Sequence, residues 1–169
     1  MLEITKSWMI NQGLDILAAD ILSRGLALVL IAALSLIFYL ITKHLILKGL
    51  AAIISRTATQ WDDIILGKKV FNRLAYLAPA IIIYMSASIP FAGYDSLIVL
   101  INGVALIYMI TMGVLALNSF LNASLDIYKT YEVSDRIPIK GFIQVFKIIA
   151  YFTSGIFIIS ILLNKTPIY

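Results

Sequence analysis

The chain has 169 residues, of which 62% are hydrophobic and 13% are charged, with a mean hydropathy of +1.00 and a formal net charge of +4. Soluble domains carry about 25% charged residues, so this composition excludes an ordinary water-soluble domain. The sequence contains no cysteine, which excludes disulfides, thiolate metal sites and a cysteine nucleophile.

Four long stretches carry no charged side chain: Gly25 to Thr42, Leu74 to Tyr94, Ser96 to Leu125 and Ile148 to Asn164. At a helical rise of about 1.5 Å per residue, each approaches or exceeds the ~30 Å hydrocarbon core of a bilayer. They predict an all-α, polytopic membrane protein with spans near 25–42, 74–94, 96–117 and 144–164. The third helix is expected to continue to about residue 128. Four spans leave no room for a separate soluble domain.

The segment before the first span, residues 1–23, is predicted to lie in the headgroup layer. From Trp8 to Ser23, apolar residues are mixed with Asn11, Asp15 and Asp20, a pattern that suits an interfacial helix. Trp8 is then an interfacial anchor, which is the common role of tryptophan at such a position.

Lysine and arginine are distributed unevenly over the connections between spans. The turn from Pro90 to Asp95 has none, whereas the other two connections are basic. Because cytoplasmic loops collect Lys and Arg, the N-terminus is predicted to be extracytoplasmic. Membrane lipids are the expected partners, and nucleic acid is not. The predicted contacts to anionic lipid headgroups are Lys43, Lys48, Lys68, Lys69, Arg73, Lys140 and Lys147.

Two adjacent carboxylates in the first basic connection are the basis of an alternative function. Asp62 and Asp63 could hold Mg²⁺ and a diphosphate in a membrane enzyme acting on lipid or isoprenoid diphosphates. Neighbouring residues on a helix point in different directions, however, and the only histidine is His44 at the end of a span. We therefore expect Asp62 to belong to a helix cap, and we predict no catalytic residue, metal or cofactor.

Two further predictions concern the spans themselves. Pro79 should kink the second helix because proline removes a backbone donor, and Pro90 should close that helix. Asn118 and Asn122 are four residues apart on the third helix, so they share a face. Their expected role is a polar contact to a neighbouring helix, and the alternative is a polar permeation path.

Three parts of the chain resemble the small-conductance mechanosensitive ion channel (MscS) family. They are Arg56 to Asp63, Leu74 to Pro79 and, most specifically, Tyr131 to Pro167, and they are most similar to the YbdG-like miniconductance branch with five membrane helices. The resemblance implies that residues 24–169 form a peripheral tension-sensing membrane domain in the bacterial inner (plasma) membrane. The channel would release ions and osmolytes on hypo-osmotic shock.

The same resemblance sets a limit on what this chain can do. In the family a Gly/Ala-rich pore helix and a β-rich vestibule follow the helix that ends near Asn164, and nothing in this sequence matches either part. We therefore expect the chain to lack its own pore, and no pore residue is carried over. The resemblance implies a homo-oligomer, a heptamer where the pore helix is present.

Overall fold

The computed structural model describes residues 2–54, 70–131 and 139–163, with side chains described in 2–45, 70–131 and 139–163. Within these ranges the chain is helical and contains no β-strand, which confirms the all-helical prediction. The helices are α1 (Leu2–Asn11), α2 (Ile16–Ile54), α3 (Val70–Ala75), α4 (Leu77–Ser86), α5 (Asp95–Tyr128) and α6 (Lys140–Leu162).

Three of the described helices are long and apolar enough to cross a bilayer. They contain the segments Ile16–Leu45, Asp95–Tyr128 and Lys140–Leu162. The predicted second span corresponds to the two shorter helices α3 and α4, an apolar stretch over Val70–Ser86. The chain is therefore a helical membrane protein with three helices of spanning length in its described part, and a fourth span remains a prediction.

The second predicted span is interrupted, but at Tyr76 rather than at Pro79 itself. Proline has no backbone N–H, so the carbonyl of Ala75, four residues earlier, loses its usual helical donor. The Tyr76 amide still donates to the Asn72 carbonyl, at 3.3 Å, and Tyr76 keeps right-handed helical angles with φ −68° and ψ −13°. The interruption therefore loosens one turn of the helix without reversing the chain.

The helix α4 ends at Ser86, before the predicted stop at Pro90. A turn over residues 87–93 follows, and Gly93 adopts a φ of 88°, which side chains with a Cβ rarely reach. Pro90 therefore lies within the turn that joins α4 to α5, and Gly93 allows the chain to reverse its direction there.

The N-terminal segment is also divided, although its pattern favoured a helix over Trp8–Ser23. The amides of Gly13 and Leu14 donate to the carbonyls of Ile10 and Met9, at 2.9 and 3.3 Å, and Gly13 has a φ of 92°. This is a Schellman motif, in which a left-handed glycine ends a helix. The chain then restarts as α2, where the Asp15 carboxylate accepts from the Ile16 amide at 2.9 Å.

The helices pack mainly against their neighbours in the chain. Helix α1 packs on α2, α2 on α3 and α4, these two on α5, and α5 on α6. The described helices therefore form a single row. The contacts between them use small residues, as in other membrane helix pairs: the most buried include Ala19, Ser23, Ala75, Ala80, Ala105, Ala116, Ser119 and Ala123.

Large apolar side chains point outward along this row. On α6, Phe142 and Phe152 are 70% and 72% exposed, and on α2 Val29 is 65% exposed. Soluble monomers rarely expose so much apolar surface. It is the kind of surface expected of helices that lie in a bilayer.

Candidate functional site

An apolar groove runs along the row of helices between α2 and α4. Its volume is about 650 Å³, which falls within the roughly 300–1,000 Å³ range of ligand pockets. One wall is formed by α2, with Leu28 and Ala32, and the other by α4, with Pro79 and Ile83. The groove reaches the interrupted turn, because Tyr76 is among its lining residues.

Two tyrosines line one end of the groove, and a lysine lies beside one of them. The rings of Tyr39 on α2 and Tyr76 at the α3–α4 junction are stacked, with centroids 5.5 Å apart and planes 9° apart. The Lys43 ammonium lies 5.7 Å from the centroid of the Tyr39 ring, in the geometry of a cation–π contact. The groove could therefore hold an apolar chain whose negatively charged end lies near Lys43.

A second hollow, of about 480 Å³, lies between α4 and α5. It shares Pro79 and Ile83 with the groove, and its other wall includes Leu100 and Tyr108 of α5. Helix α4 is consequently bordered by an open apolar hollow on its α2 side and by another on its α5 side.

One of the two predicted polar residues of the third span, Asn122, makes a contact to α6. The Asn122 side-chain oxygen accepts from the Lys147 ammonium of α6 at 2.6 Å. Asn118 lies one turn earlier on α5 and is half-buried. Lys147, which was predicted to contact lipid headgroups, therefore also links two helices.

Arg73 also makes a contact between helices. It is in the last turn of α3, and its guanidinium donates to the carbonyl of Leu115 on α5. Lys140, in contrast, is exposed at the start of α6. The Lys48 side chain, Lys68, Lys69, Asp62 and Asp63 lie outside the described residues, and headgroup contact stays a prediction for the whole set.

Among the described residues, a polar cluster around Asp20 and Arg24 was not among the predicted site residues. Asp20 accepts from the Lys6 ammonium of α1 at 2.9 Å and from Nε of Arg24 at 2.8 Å. Nη1 of Arg24 donates to the carbonyls of Pro90 and Ala92, at 3.2 and 3.1 Å, and the guanidinium lies 5.1 Å from the Tyr94 ring centroid. These residues join α1, α2 and the α4–α5 turn.

Only part of this cluster has a signal in the sequence. Asp20 and Arg24 are four residues apart on one helix, a spacing at which opposite charges meet. The carbonyls at Pro90 and Ala92 are 66 and 68 residues from Arg24, and no local pattern predicts that contact.

In a comparison with known proteins, no family model and no solved structure matches the chain. In the described part of the chain, no three His, Asp or Glu side chains form a group that could hold a metal ion. The geometry offers an apolar groove that two tyrosines line at one end, a lysine beside one of these tyrosines, and polar links between helices.

The basic residues give a first testable prediction. Replacing the half-buried Lys43 and the exposed Lys140 by Gln should weaken retention of anionic phospholipid, because each charge near an anionic surface contributes about 1 kcal/mol. Native mass spectrometry of the detergent-extracted protein would measure the bound lipid. Retention of zwitterionic phospholipid is the control and should not change. Equal retention of anionic lipid by the variant and the original chain would contradict headgroup binding.

Proposed function

We propose that this chain is the peripheral tension-sensing membrane region of a mechanosensitive ion channel that releases ions and osmolytes on hypo-osmotic shock. The observation that carries the proposal is the apolar groove of about 650 Å³ between α2 and α4. The resemblance of Tyr131 to Pro167 to the mechanosensitive family supports it. The proposal places the chain in the bacterial inner membrane, with the N-terminus extracytoplasmic.

Tension can act on a protein only through a change in its in-plane area, because the work done is tension multiplied by that change. A ligand or a lipid shifts a two-state equilibrium only if it interacts differently with the two states. A lipid that occupies the groove at rest and leaves the groove when the bilayer is stretched meets this condition. The row then has two arrangements that differ in whether lipid occupies the groove between α2 and α4, and tension favours the one with the larger in-plane area.

The packing of the row suits such a change. The buried contacts between helices are made largely by alanine and serine, and the hollow of about 480 Å³ on the α5 side of α4 leaves room for displacement. The proposed working unit is a homo-oligomer in which this region surrounds a pore that other residues form. A heptamer is the expected number by family resemblance.

The experiment measures the width of the groove while the lateral pressure of the bilayer is changed. The sequence has no cysteine, so spin labels can be placed on Cys at the exposed positions Ile37 of α2 and Ile81 of α4. Adding a single-chain lysolipid to nanodiscs imitates tension, and it should shift the distance distribution between these labels.

A second label pair, at Val99 and Leu117 within α5, provides the control, because a continuous helix fixes its separation. This distance should stay constant. If lysolipid leaves the α2–α4 distance unchanged as well, the region does not respond to lateral pressure and the tension-sensing proposal is wrong.

A further inference from the structure

Helix α1 is held to the rest of the protein by little apolar contact. None of its residues is buried, and Ile4 and Trp8 are 72% and 63% exposed. Its inner side covers a crevice of about 280 Å³, where Leu2 and Thr5 face Leu26 and Leu30 of α2 and Ile89 of the α4–α5 turn. Helix α1 therefore lies over an open crevice and is not packed into a core.

The ionic attachment of α1 depends on one carboxylate. The two oxygens of Asp20 are divided between Lys6, on α1, and Arg24, on α2. Arg24 has further acceptors in the turn carbonyls of Pro90 and Ala92, so it keeps partners if Asp20 is neutralised. Lys6 has no such second acceptor among the contacts in the described part of the chain. Loss of the Asp20 charge should thus weaken the attachment of α1 and leave the link between α2 and the α4–α5 turn in place.

The connection to α2 permits movement of α1. Only residues 12–15 separate the two helices, and Gly13 lies among them at a φ of 92°. Glycine has access to both halves of the Ramachandran map, so rotation at this residue can reorient α1 once the capping bonds to Ile10 and Met9 break. Lys6 lies near the middle of α1, and the hinge lies just beyond the last residue of the helix.

We propose that α1 is a releasable strap: the Lys6–Asp20 ion pair holds it over the crevice, and on release it lies in the interfacial layer of the bilayer. The partner of the released state is the lipid interface, because a helix with Trp and Ile on its surface gains apolar contact there. In the closed state Ile4 and Trp8 already face away from α2. The strap does not depend on the proposed channel role.

The test uses the full chain in lipid nanodiscs with two pairs of spin labels. A pair at Ser7 and Ser96 reports the position of α1, and a pair at Leu22 and Ser96 reports the contact between α2 and the turn. All three positions are exposed. Asp20→Asn and Lys6→Met each remove the ion pair while keeping side-chain size. The fraction of released α1 should rise roughly two- to fivefold, as expected for a partly exposed pair.

The control variant is Glu3→Gln, which removes an exposed charge from the same helix without touching Asp20. It should leave both distances unchanged. In Asp20→Asn and Lys6→Met, the Ser7–Ser96 distribution should broaden while the Leu22–Ser96 distribution stays constant. An unchanged Ser7–Ser96 distribution in both variants would overturn the strap. So would a change in both distributions, because Asp20 would then hold the whole end of the molecule together.

Discussion

Replacing Arg24 by Ala is expected to lower the free energy of unfolding by about 2 kcal/mol, a typical loss for hydrogen bonds made by a charged group. The side chain of Arg24 is 27% exposed, and it bonds Asp20 and two carbonyls of the α4–α5 turn. Its removal leaves those carbonyls and one carboxylate oxygen without their donor. Reversible unfolding in mixed micelles would measure the change.

The comparison variant is Lys129→Ala. Lys129 also pairs with an aspartate, Asp126, but at 3.4 Å and with 59% of the side chain exposed. Exposed pairs of this kind contribute about 0–1 kcal/mol, so this loss should be much smaller. If the two substitutions cost the same, the Arg24 contacts do not stabilise the protein beyond an ordinary surface pair.

Arg24→Lys distinguishes the geometry of the contacts from the charge alone. A lysine ammonium keeps the positive charge but lacks the planar guanidinium that reaches Asp20 and both carbonyls together. The conservative variant should therefore recover only part of the loss. Full recovery would show that the charge next to Asp20, and not the link to the turn, carries the stability.

The long helices could be predicted because hydrocarbon imposes a simple rule on the sequence. A backbone in lipid must bond internally, so a charge-free run of sufficient length becomes a helix. Helix α5 shows this clearly, since Asp95–Tyr128 is close to the predicted extent to about residue 128. The polar side chains near its end did not stop the helix, because their backbone groups still bond within it.

The interruptions were predicted less well. Pro79 was predicted to kink the helix, but the interruption falls at Tyr76. Tyr76 follows Ala75, whose carbonyl has no helical donor because proline lacks a backbone N–H. Gly13 gave no clear signal, because glycine is tolerated in many helices and only the actual φ of 92° shows that it ends α1.

The groove could not be predicted from composition. Its lining residues, such as Leu28 and Ile83, are the same types that face lipid elsewhere on these helices. The stacked tyrosines Tyr39 and Tyr76 come from different helices, and their contact depends on how α2 and α4 are rotated about their axes. For the same reason Asn122 was predicted to contact a neighbouring helix, but its partner Lys147 was not named.

Ala32→Phe is expected to close the groove and remove its response to lipid. Ala32 lies in the wall of the groove on α2, and the volume of about 650 Å³ can take a phenyl ring without overpacking. Phospholipid binding should weaken about tenfold, which corresponds to about 1.4 kcal/mol of lost apolar contact. Native mass spectrometry would measure the retained lipid. The lysolipid-induced shift between labels at Ile37 and Ile81 should disappear in the same variant.

Ala33→Phe is the matched control, because it makes the same change on the same exposed helix one residue away, outside the groove wall. Successive residues on a helix face different directions, so this ring should lie elsewhere and leave both lipid retention and the label shift intact. If Ala32→Phe loses stability as well, the ring has disrupted packing and the loss of response cannot be assigned to the groove. If both variants respond to lysolipid like the original chain, lipid in the groove does not control the separation of α2 and α4.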